Sequence, residues 1–101
     1  MIYELRHYTL FPDSFERMLE RFRQVNIPLF DKYGITVDQV WRHPTDPNKF
    51  TFIMSFPSEE ARTESWKGYH EDPDFIAGKE TQATIIEKIE WYVLDPITVT
   101  A

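Results

Sequence analysis

The sequence contains no cysteine, only three glycines and no long hydrophobic run. Without cysteine there is no disulfide, no thiol nucleophile and no cysteine-bound zinc. Three isolated glycines cannot form the glycine-rich loop that holds the phosphates of a nucleotide cofactor. No segment approaches the roughly 20 apolar residues that span a bilayer, and the N-terminal segment has charged residues in place of the apolar core of a signal peptide. We therefore expect a cytoplasmic protein.

Positive charge is also in short supply. Eleven Lys and Arg residues stand against 17 Asp and Glu residues, which gives a formal net charge of −6. An acidic surface repels phosphate backbones and anionic lipids, so we expect neither nucleic acid nor a membrane as a partner. A chain of 101 residues is long enough for one core, and we expect residues 1–101 to form a single domain.

Aromatic residues, by contrast, are abundant, with eight Phe, five Tyr and three Trp. Each buried ring removes about 150–250 Å² from water, so a small core rich in rings can be dense. The number of rings raises the question of whether one domain of this size can bury them all.

The hydrophobic pattern predicts the order strand, helix, strand, strand, helix, strand. The strands are expected at residues 2–10, 35–43, 49–56 and 85–94, and helical segments at 13–33, 58–70 and 72–83. Asp13, Ser58 and Asp72 are predicted N-caps, and Gly34 is predicted to end the first helical segment. Pro28 cannot donate a backbone hydrogen bond, so we expect a kink near residues 26–28.

This order predicts an α+β, ferredoxin-like βαββαβ fold, in which a four-stranded antiparallel sheet carries its helices on one face. The other face is left bare, with apolar and aromatic side chains on it. An exposed apolar patch above a few hundred Å² is unusual for a monomer. We therefore expect a homodimer, a dimeric α/β barrel in which the two bare faces pack together.

Several segments carry a resemblance to a known family. The first ten residues, MIYELRHYTL, are followed by Pro12 and by a helix that contains Ile27-Pro28-Leu29. Val40-Trp41, the segment SEEAR at residues 58–62 and the segment DPDF at residues 72–75 then follow in order. This succession resembles the NIPSNAP family over nearly the whole chain, although the family often has Trp where Phe75 stands.

The resemblance implies a dimeric α+β barrel. Proteins with that barrel include cofactor-free monooxygenases, muconolactone isomerases, haem-degrading enzymes and chlorite-dismutase-like proteins, so the fold does not specify the chemistry. Through this resemblance haem is a possible cofactor, with a histidine as its axial ligand. The residues themselves favour no cofactor.

Glu4, Arg6 and Tyr8 share one face of the first strand. We expect them on the bare face, as a polar network in the dimer barrel. Two interpretations are open. Arg6 either pairs with a carboxylate at the interface, or the three side chains bind a polar ligand.

His7 lies on the opposite face of that strand, with Tyr3, and is expected to point toward the helices. Histidine transfers protons near neutral pH, so His7 and His70 are the catalytic candidates. The alternative for His7 is a core histidine bonded to a backbone carbonyl. His43 is expected at the surface, and no histidine pair has a metal-binding spacing, so no metal site is predicted.

Rings near His70 suggest a pocket for a flat apolar ligand. Trp66 and His70 are four residues apart and lie on one helix face. The predicted pocket walls are aromatic: Tyr3, Trp41, Trp66, Tyr69 and Phe75. The alternative is ordinary packing of the rings, with His70 exposed near a helix end.

Two functions follow from these patterns. The first is binding or cofactor-independent transformation of a small, partly aromatic metabolite, monooxygenase- or isomerase-like by analogy with the fold. The second is a non-enzymatic dimeric module for protein interaction or stress response. Whether the protein is an enzyme stays open in the sequence.

Overall fold

The computed structural model describes residues 1–99, which contain one four-stranded antiparallel sheet. Its strands are β1 Ile2–Leu10, β2 Thr36–Arg42, β3 Lys49–Phe56 and β4 Ile86–Leu94. Their spatial order is β2-β3-β1-β4, so the first and last strands of the chain are neighbours. This is the predicted ferredoxin-like topology, and each strand lies within one residue of its predicted bounds.

The first helical segment runs through a π-helical turn. It consists of α1 Phe15–Arg21, the π-turn Phe22–Asn26 and α2 Ile27–Lys32. Pro28 lies in the first turn of α2. The helical backbone continues through the π-turn into α2, so the missing proline donor does not break the segment.

The ends of this segment differ in how well they are predicted. Asp13 is not the N-cap; it adopts a left-handed conformation with φ of 62°, and Ser14 occupies the cap position. Aspartate tolerates this conformation in a turn, which shifts the helix start by one residue. Gly34 has φ of 72° and ends the segment as predicted.

The second helical segment is α3 Glu59–Glu71, α4 Pro73–Ala77 and α5 Lys79–Ala83. Both predicted caps are confirmed. Ser58 Oγ accepts from the backbone N–H of Ala61 at 3.1 Å, and Asp72 Oδ1 accepts from that of Asp74 at 2.8 Å. The single helix predicted at 72–83 is two short helices that meet at Gly78.

Both helical segments pack on one face of the sheet. The centre of the core is a row of fully buried β3 side chains: Phe50, Phe52, Met54 and Phe56. Phe22 of the π-turn lies 4.8 Å from Phe52 between ring centroids, and Trp66 of α3 lies 6.5 Å from Phe56. These contacts place the two helical segments side by side over β3 and β1.

The other face of the sheet, which we call the open face, is covered by no described element. Residues paired across antiparallel strands point to the same side, which assigns Trp41, Tyr92 and Leu94 to this face. These three side chains are 44, 52 and 42% exposed. The described chain thus buries only part of its aromatic surface by itself.

Asp72 ties the two helical segments together. Its side chain is 1% exposed and accepts hydrogen bonds from Lys32 Nζ at 2.8 Å and from the hydroxyl of Tyr33 at 2.5 Å. The Tyr33 ring packs against α3 at Gly68, where a Cβ atom would lie 2.5 Å from a ring carbon. Glycine at this position therefore permits the close approach that brings Tyr33 to Asp72.

Acid titration should reveal the Asp72 contact. The hydrogen bonds from Lys32 and Tyr33 lower the pKa of Asp72 from 3.8 to about 2. A carboxyl with a lowered folded-state pKa stabilises the fold above its unfolded pKa and loses that contribution as the pH falls toward 2. In Asp72→Asn the cap is retained, because Asn also caps helices, but the charge is lost.

We expect the difference in unfolding free energy between wild type and Asp72→Asn to shrink as the pH falls from about 5 to about 2. Urea unfolding at a series of pH values measures it. The control is Asp74→Asn, since Asp74 is exposed and forms no ion pair with any residue in 1–99. A difference that does not change with pH would contradict the role of the Asp72 charge.

Candidate functional site

The carboxylate of Glu4 is fully buried between β1 and α3. Its Oε2 accepts from Arg6 Nε at 2.5 Å, and its Oε1 accepts from Arg62 Nε at 2.6 Å and from Trp66 Nε1 at 2.9 Å. Burial of a carboxylate is tolerated when it is paired and hydrogen-bonded in this way. The three contacts fix the side chains of one strand residue and two helix residues against one another.

These contacts correct the predicted faces of β1. Glu4, Arg6 and Tyr8 point toward the helices, and His7 points to the open face, which is the reverse of the prediction. The polar residues can enter the core because α3 supplies partners for Glu4. The network is therefore formed within one chain and does not line the open face.

The guanidinium group of Arg6 lies between two indole rings. Its central carbon is 4.2 Å from the ring centroid of Trp66 and 5.4 Å from that of Trp91. Trp91 is paired with Arg6 and lies on the helix-facing side, yet it is 54% exposed. Ile86 and Ile89 of β4 pack against the core, but the helices leave the last residues of the strand, from Trp91 to Leu94, exposed beside Arg6 and Trp66. We call this uncovered region the Arg6 cleft, lined by Arg6, Trp66, His70 and Trp91.

His70 stands at the rim of the Arg6 cleft. Its ring stacks on Trp66 with centroids 5.5 Å apart and an interplanar angle of 18°, and Phe75 lies 5.2 Å away. Partial burial, followed by the charges of Arg6 and Lys79, lowers the pKa of His70 below 6.5. The imidazole is therefore mostly neutral at pH 7 and can accept a proton.

Tyr8 contributes a hydroxyl near Arg6. Burial raises the pKa of Tyr8 to about 12, against the opposing effect of the Arg6 charge, so the hydroxyl stays protonated. Within residues 1–99, the fully buried polar side-chain atoms without a partner are Arg21 Nε and Asn26 Oδ1. The hydroxyl of Tyr8 lies within hydrogen-bonding reach of the Arg6 guanidinium, which can only donate to it, so the proton of the hydroxyl is not used in that contact.

The predicted pocket residues fall into two groups. Trp66, Tyr69, His70 and Phe75 lie together, whereas Tyr3 and Trp41 lie on the open face. Trp66 and Tyr69 are mostly buried in the core, and the hydroxyl of Tyr69 accepts from Asn26 at 3.0 Å. Packing therefore accounts for Tyr69, and an edge of Trp66 reaches the cleft.

His7 belongs to a separate cluster on the open face. Its Nδ1 and the Nε2 of His43 each lie 2.8 Å from Thr51 Oγ1, and the two rings are 5.1 Å apart. Burial, followed by the charges of His43 and Lys49, lowers the pKa of His7. His43 is half-buried beside His7 and is not an isolated surface residue.

Two residues, Arg62 and Trp91, were missed in the sequence, whereas Trp66 was predicted as a pocket wall. Arg62 and Trp66 are four residues apart and share one helix face, which is a signal for a common target. Trp91 stands between Glu90 and Tyr92 in β4, and nothing local shows that it lies opposite Arg6. Only the pairing of β1 with β4 brings these two residues together.

A second groove lies apart from the Arg6 cleft. It has a volume of about 560 Å³ and lies between the first helical segment and α4. Arg21 crosses it and donates from Nη2 to the carbonyl of Gly78 at 3.1 Å. Among residues 1–99 no cluster of three or more His, Asp or Glu side chains could hold a metal ion. No helix in this part of the chain is long and apolar enough to cross a membrane.

Comparison with known proteins decides the family. A profile of the NIPSNAP family matches residues 3–100. The chain belongs to the NIPSNAP family. A search of curated proteins finds no match.

Solved structures agree with this assignment. An uncharacterized NIPSNAP domain protein from Burkholderia xenovorans is 17% identical with a TM-score of 0.87, over 100% of this chain and 99% of that chain. A NIPSNAP family protein of unknown function from Agrobacterium tumefaciens is 21% identical with a TM-score of 0.87, over 99% and 91%. A putative antibiotic biosynthesis monooxygenase from Nitrosomonas europaea is 12% identical with a TM-score of 0.72, over 97% and 100%. At these identities the likeness shows the shared ferredoxin-like fold of the NIPSNAP domain.

Removal of the Glu4 charge should destabilise this NIPSNAP domain strongly. Glu4→Gln keeps the shape of the side chain but leaves Arg6 and Arg62 without their buried counter-charge. Breaking a buried ion pair in this way costs about 3–5 kcal/mol. Urea unfolding measures the loss.

The matched control is Glu59→Gln. Glu59 also pairs with Arg62, at 3.0 Å, but its side chain is 56% exposed. An exposed pair contributes about 1 kcal/mol or less. Equal losses of unfolding free energy in the two variants would show that the burial of Glu4 does not increase the cost of removing its charge.

Proposed function

We propose that this NIPSNAP domain is a cytoplasmic homodimer whose Arg6 cleft binds a small, partly aromatic metabolite. One observation supports the ligand site. Trp91 is exposed on the side of the sheet that the helices cover elsewhere, and the Arg6 guanidinium lies between its ring and that of Trp66. An uncovered aromatic wall beside one fixed charged group is the composition of a small-molecule site.

The chemistry of the cleft suits proton transfer. His70 is mostly neutral at pH 7 and stacks on Trp66 at the rim, so we infer that a ligand bound at Arg6 would lie within its reach. His7 lies on the opposite side of the sheet and cannot reach the same ligand. We therefore propose His70 as the proton-transfer group, in a monooxygenase- or isomerase-like reaction that needs no nucleotide cofactor. The reaction class rests on analogy with the fold.

The homodimer is supported by the open face. Trp41, Tyr92 and Leu94 are exposed there, and Leu5 and Ile53 lie half-buried between them. Packing two such faces together would remove these side chains from water in a closed, two-fold symmetric assembly. The Arg6 cleft lies on the other side of the sheet and would stay accessible in that dimer.

A second candidate is the non-enzymatic dimeric interaction module. It is favoured by the burial of Trp66 and Tyr69 in the core and by the exposure of His70 at the cleft rim. In that case the dimer would form in the same way, and no aromatic small molecule would bind in the Arg6 cleft.

Sedimentation should give about twice the chain mass of 12.1 kDa at micromolar concentration. Ile53→Lys places a charge at the centre of the open face, where an isolated monomer leaves it in solvent and a dimer would bury it unpaired. We expect the variant to remain folded and to sediment as a monomer. Ile76→Lys on the exposed surface of α4 is the control and should remain dimeric. A monomeric wild type would refute the dimer.

Ligand binding can be followed at the three tryptophans. In protein labelled with ¹⁵N-tryptophan, the neutral probe 2-naphthamide should shift the indole N–H signals of Trp66 and Trp91 and leave that of Trp41 unchanged. The reason is that Trp41 lies across the sheet from the cleft. Trp91→Ala should abolish the shift of Trp66, and Trp41→Ala should not. Shifts at Trp41 alone, or no shift with either 2-naphthamide or the corresponding acid, 2-naphthoate, would contradict the proposal and favour the interaction module.

A further inference from the structure

We propose that the ligand of the Arg6 cleft is a flat organic acid, whose carboxylate binds Arg6 and whose ring packs against Trp91. This inference rests on the proposed function, since it requires that the cleft bind a small molecule. It adds the charge and shape of that molecule.

The first support is the orientation of Arg6. Its Nε donates to Glu4 at 2.5 Å, and its flat face lies over Trp66 at 4.2 Å. The guanidinium also reaches the hydroxyl of Tyr8, and among residues 1–99 Glu4 is its one carboxylate partner, so its two terminal nitrogens, with four N–H groups, retain donors for a ligand. A guanidinium held at Nε and at one face presents these two nitrogens as a fixed fork, which matches the two oxygens of a carboxylate.

The second support is the local charge. Glu4 supplies one negative charge to two guanidinium groups, those of Arg6 and Arg62, at 2.5 and 2.6 Å. Arg62 has a further carboxylate partner in Glu59 at 3.0 Å, whereas Arg6 has none among the described residues. The excess positive charge of the network therefore lies at Arg6, inside a protein whose net charge is −6. A partly buried excess charge favours an anionic ligand.

The third support is a donor beside the fork. The hydroxyl of Tyr8 stays protonated and lies close enough to Arg6 for the guanidinium charge to act on it. Toward Arg6 it can only accept, so its proton remains to be donated to an oxygen of a bound carboxylate. Arg6 and Tyr8 would then satisfy the anion from two directions, as a specific site requires.

The fourth support separates an organic acid from an inorganic anion. Trp91 and Val93 lie on the cleft side of β4 and are 54 and 44% exposed. A phosphate or chloride ion at Arg6 would leave both side chains in water. A planar ring attached to the carboxylate would cover the indole of Trp91, and such stacking stabilises binding by about 0.5–1.5 kcal/mol beyond the area it buries.

The test compares three probes on the full-length protein labelled with ¹⁵N-tryptophan. These are 2-naphthoate, its neutral analogue 2-naphthamide, and inorganic phosphate. We expect 2-naphthoate to shift the indole signals of Trp66 and Trp91, with a Kd at least about tenfold lower than that of 2-naphthamide, because the fork bonds only the charged group strongly. Phosphate should not displace 2-naphthoate at equal concentration.

Variants assign the effect to Arg6. Arg6→Lys keeps a positive charge opposite Glu4 but loses the fork, so it should bind 2-naphthoate about tenfold more weakly and 2-naphthamide unchanged. The matched control is Arg62→Lys, which makes the same exchange at the other partner of Glu4 and should leave the ratio of the two Kd values unchanged. If Arg6→Lys does not fold, the ratio of the two Kd values in the wild type still tests whether the site recognises the carboxylate.

The outcomes separate this inference from the function on which it rests. Equal affinity for 2-naphthoate and 2-naphthamide would contradict the claim that the site recognises a carboxylate, but it would still support a binding site for aromatic ligands. Displacement of 2-naphthoate by phosphate at equal concentration would contradict the claim that the ligand is an organic acid and would indicate an inorganic anion. Binding of neither naphthalene probe would overturn both the inference and the proposed function.

Discussion

Glu4 lies without solvent contact between the central strand β1 and the helix α3, and three side chains bond to its two oxygens. A buried ion pair of this kind is not an efficient source of stability, because desolvation offsets much of the attraction. Its contribution is to fix the positions of the side chains and of the helix around it. It holds α3 at one height on the sheet and holds Arg6 beneath Trp66, so the shape and charge of the Arg6 cleft both depend on it.

The distribution of the aromatic rings follows from how far the helices reach. The phenylalanines of β3 take the centre of the core, and the two helical segments supply the rings that pack on them. The helical segments cover β4 only at Ile86 and Ile89, which leaves Trp91 exposed on one side of the sheet. Tyr92 is exposed on the other side because nothing covers the open face. Rings that one chain cannot bury thus mark two surfaces with different proposed partners.

Local signals were enough to predict most of the elements. Ser58 and Asp72 cap their helices and Gly34 ends one, since each acts through backbone groups a few residues away. The prediction was wrong at Asp13, where a left-handed turn residue precedes the true cap. It was also wrong for the faces of β1, because a period of two shows which residues share a face but not which face meets the helices. The apolar face of β3, with three phenylalanines and Met54, could have identified the core side, but only with the register between β3 and β1.

By itself, the sequence determined the order of the elements, the grouping of residues on each strand and, through its motifs, the family. The tertiary structure alone decided that Glu4 and Arg6 face inward, because their partner Arg62 is 58 residues from Glu4 in the chain. It also decided that Trp91 lies beside Arg6, through the pairing of the first and last strands. Local periodicity carries no record of such distant pairings, and the Arg6 cleft is made of them.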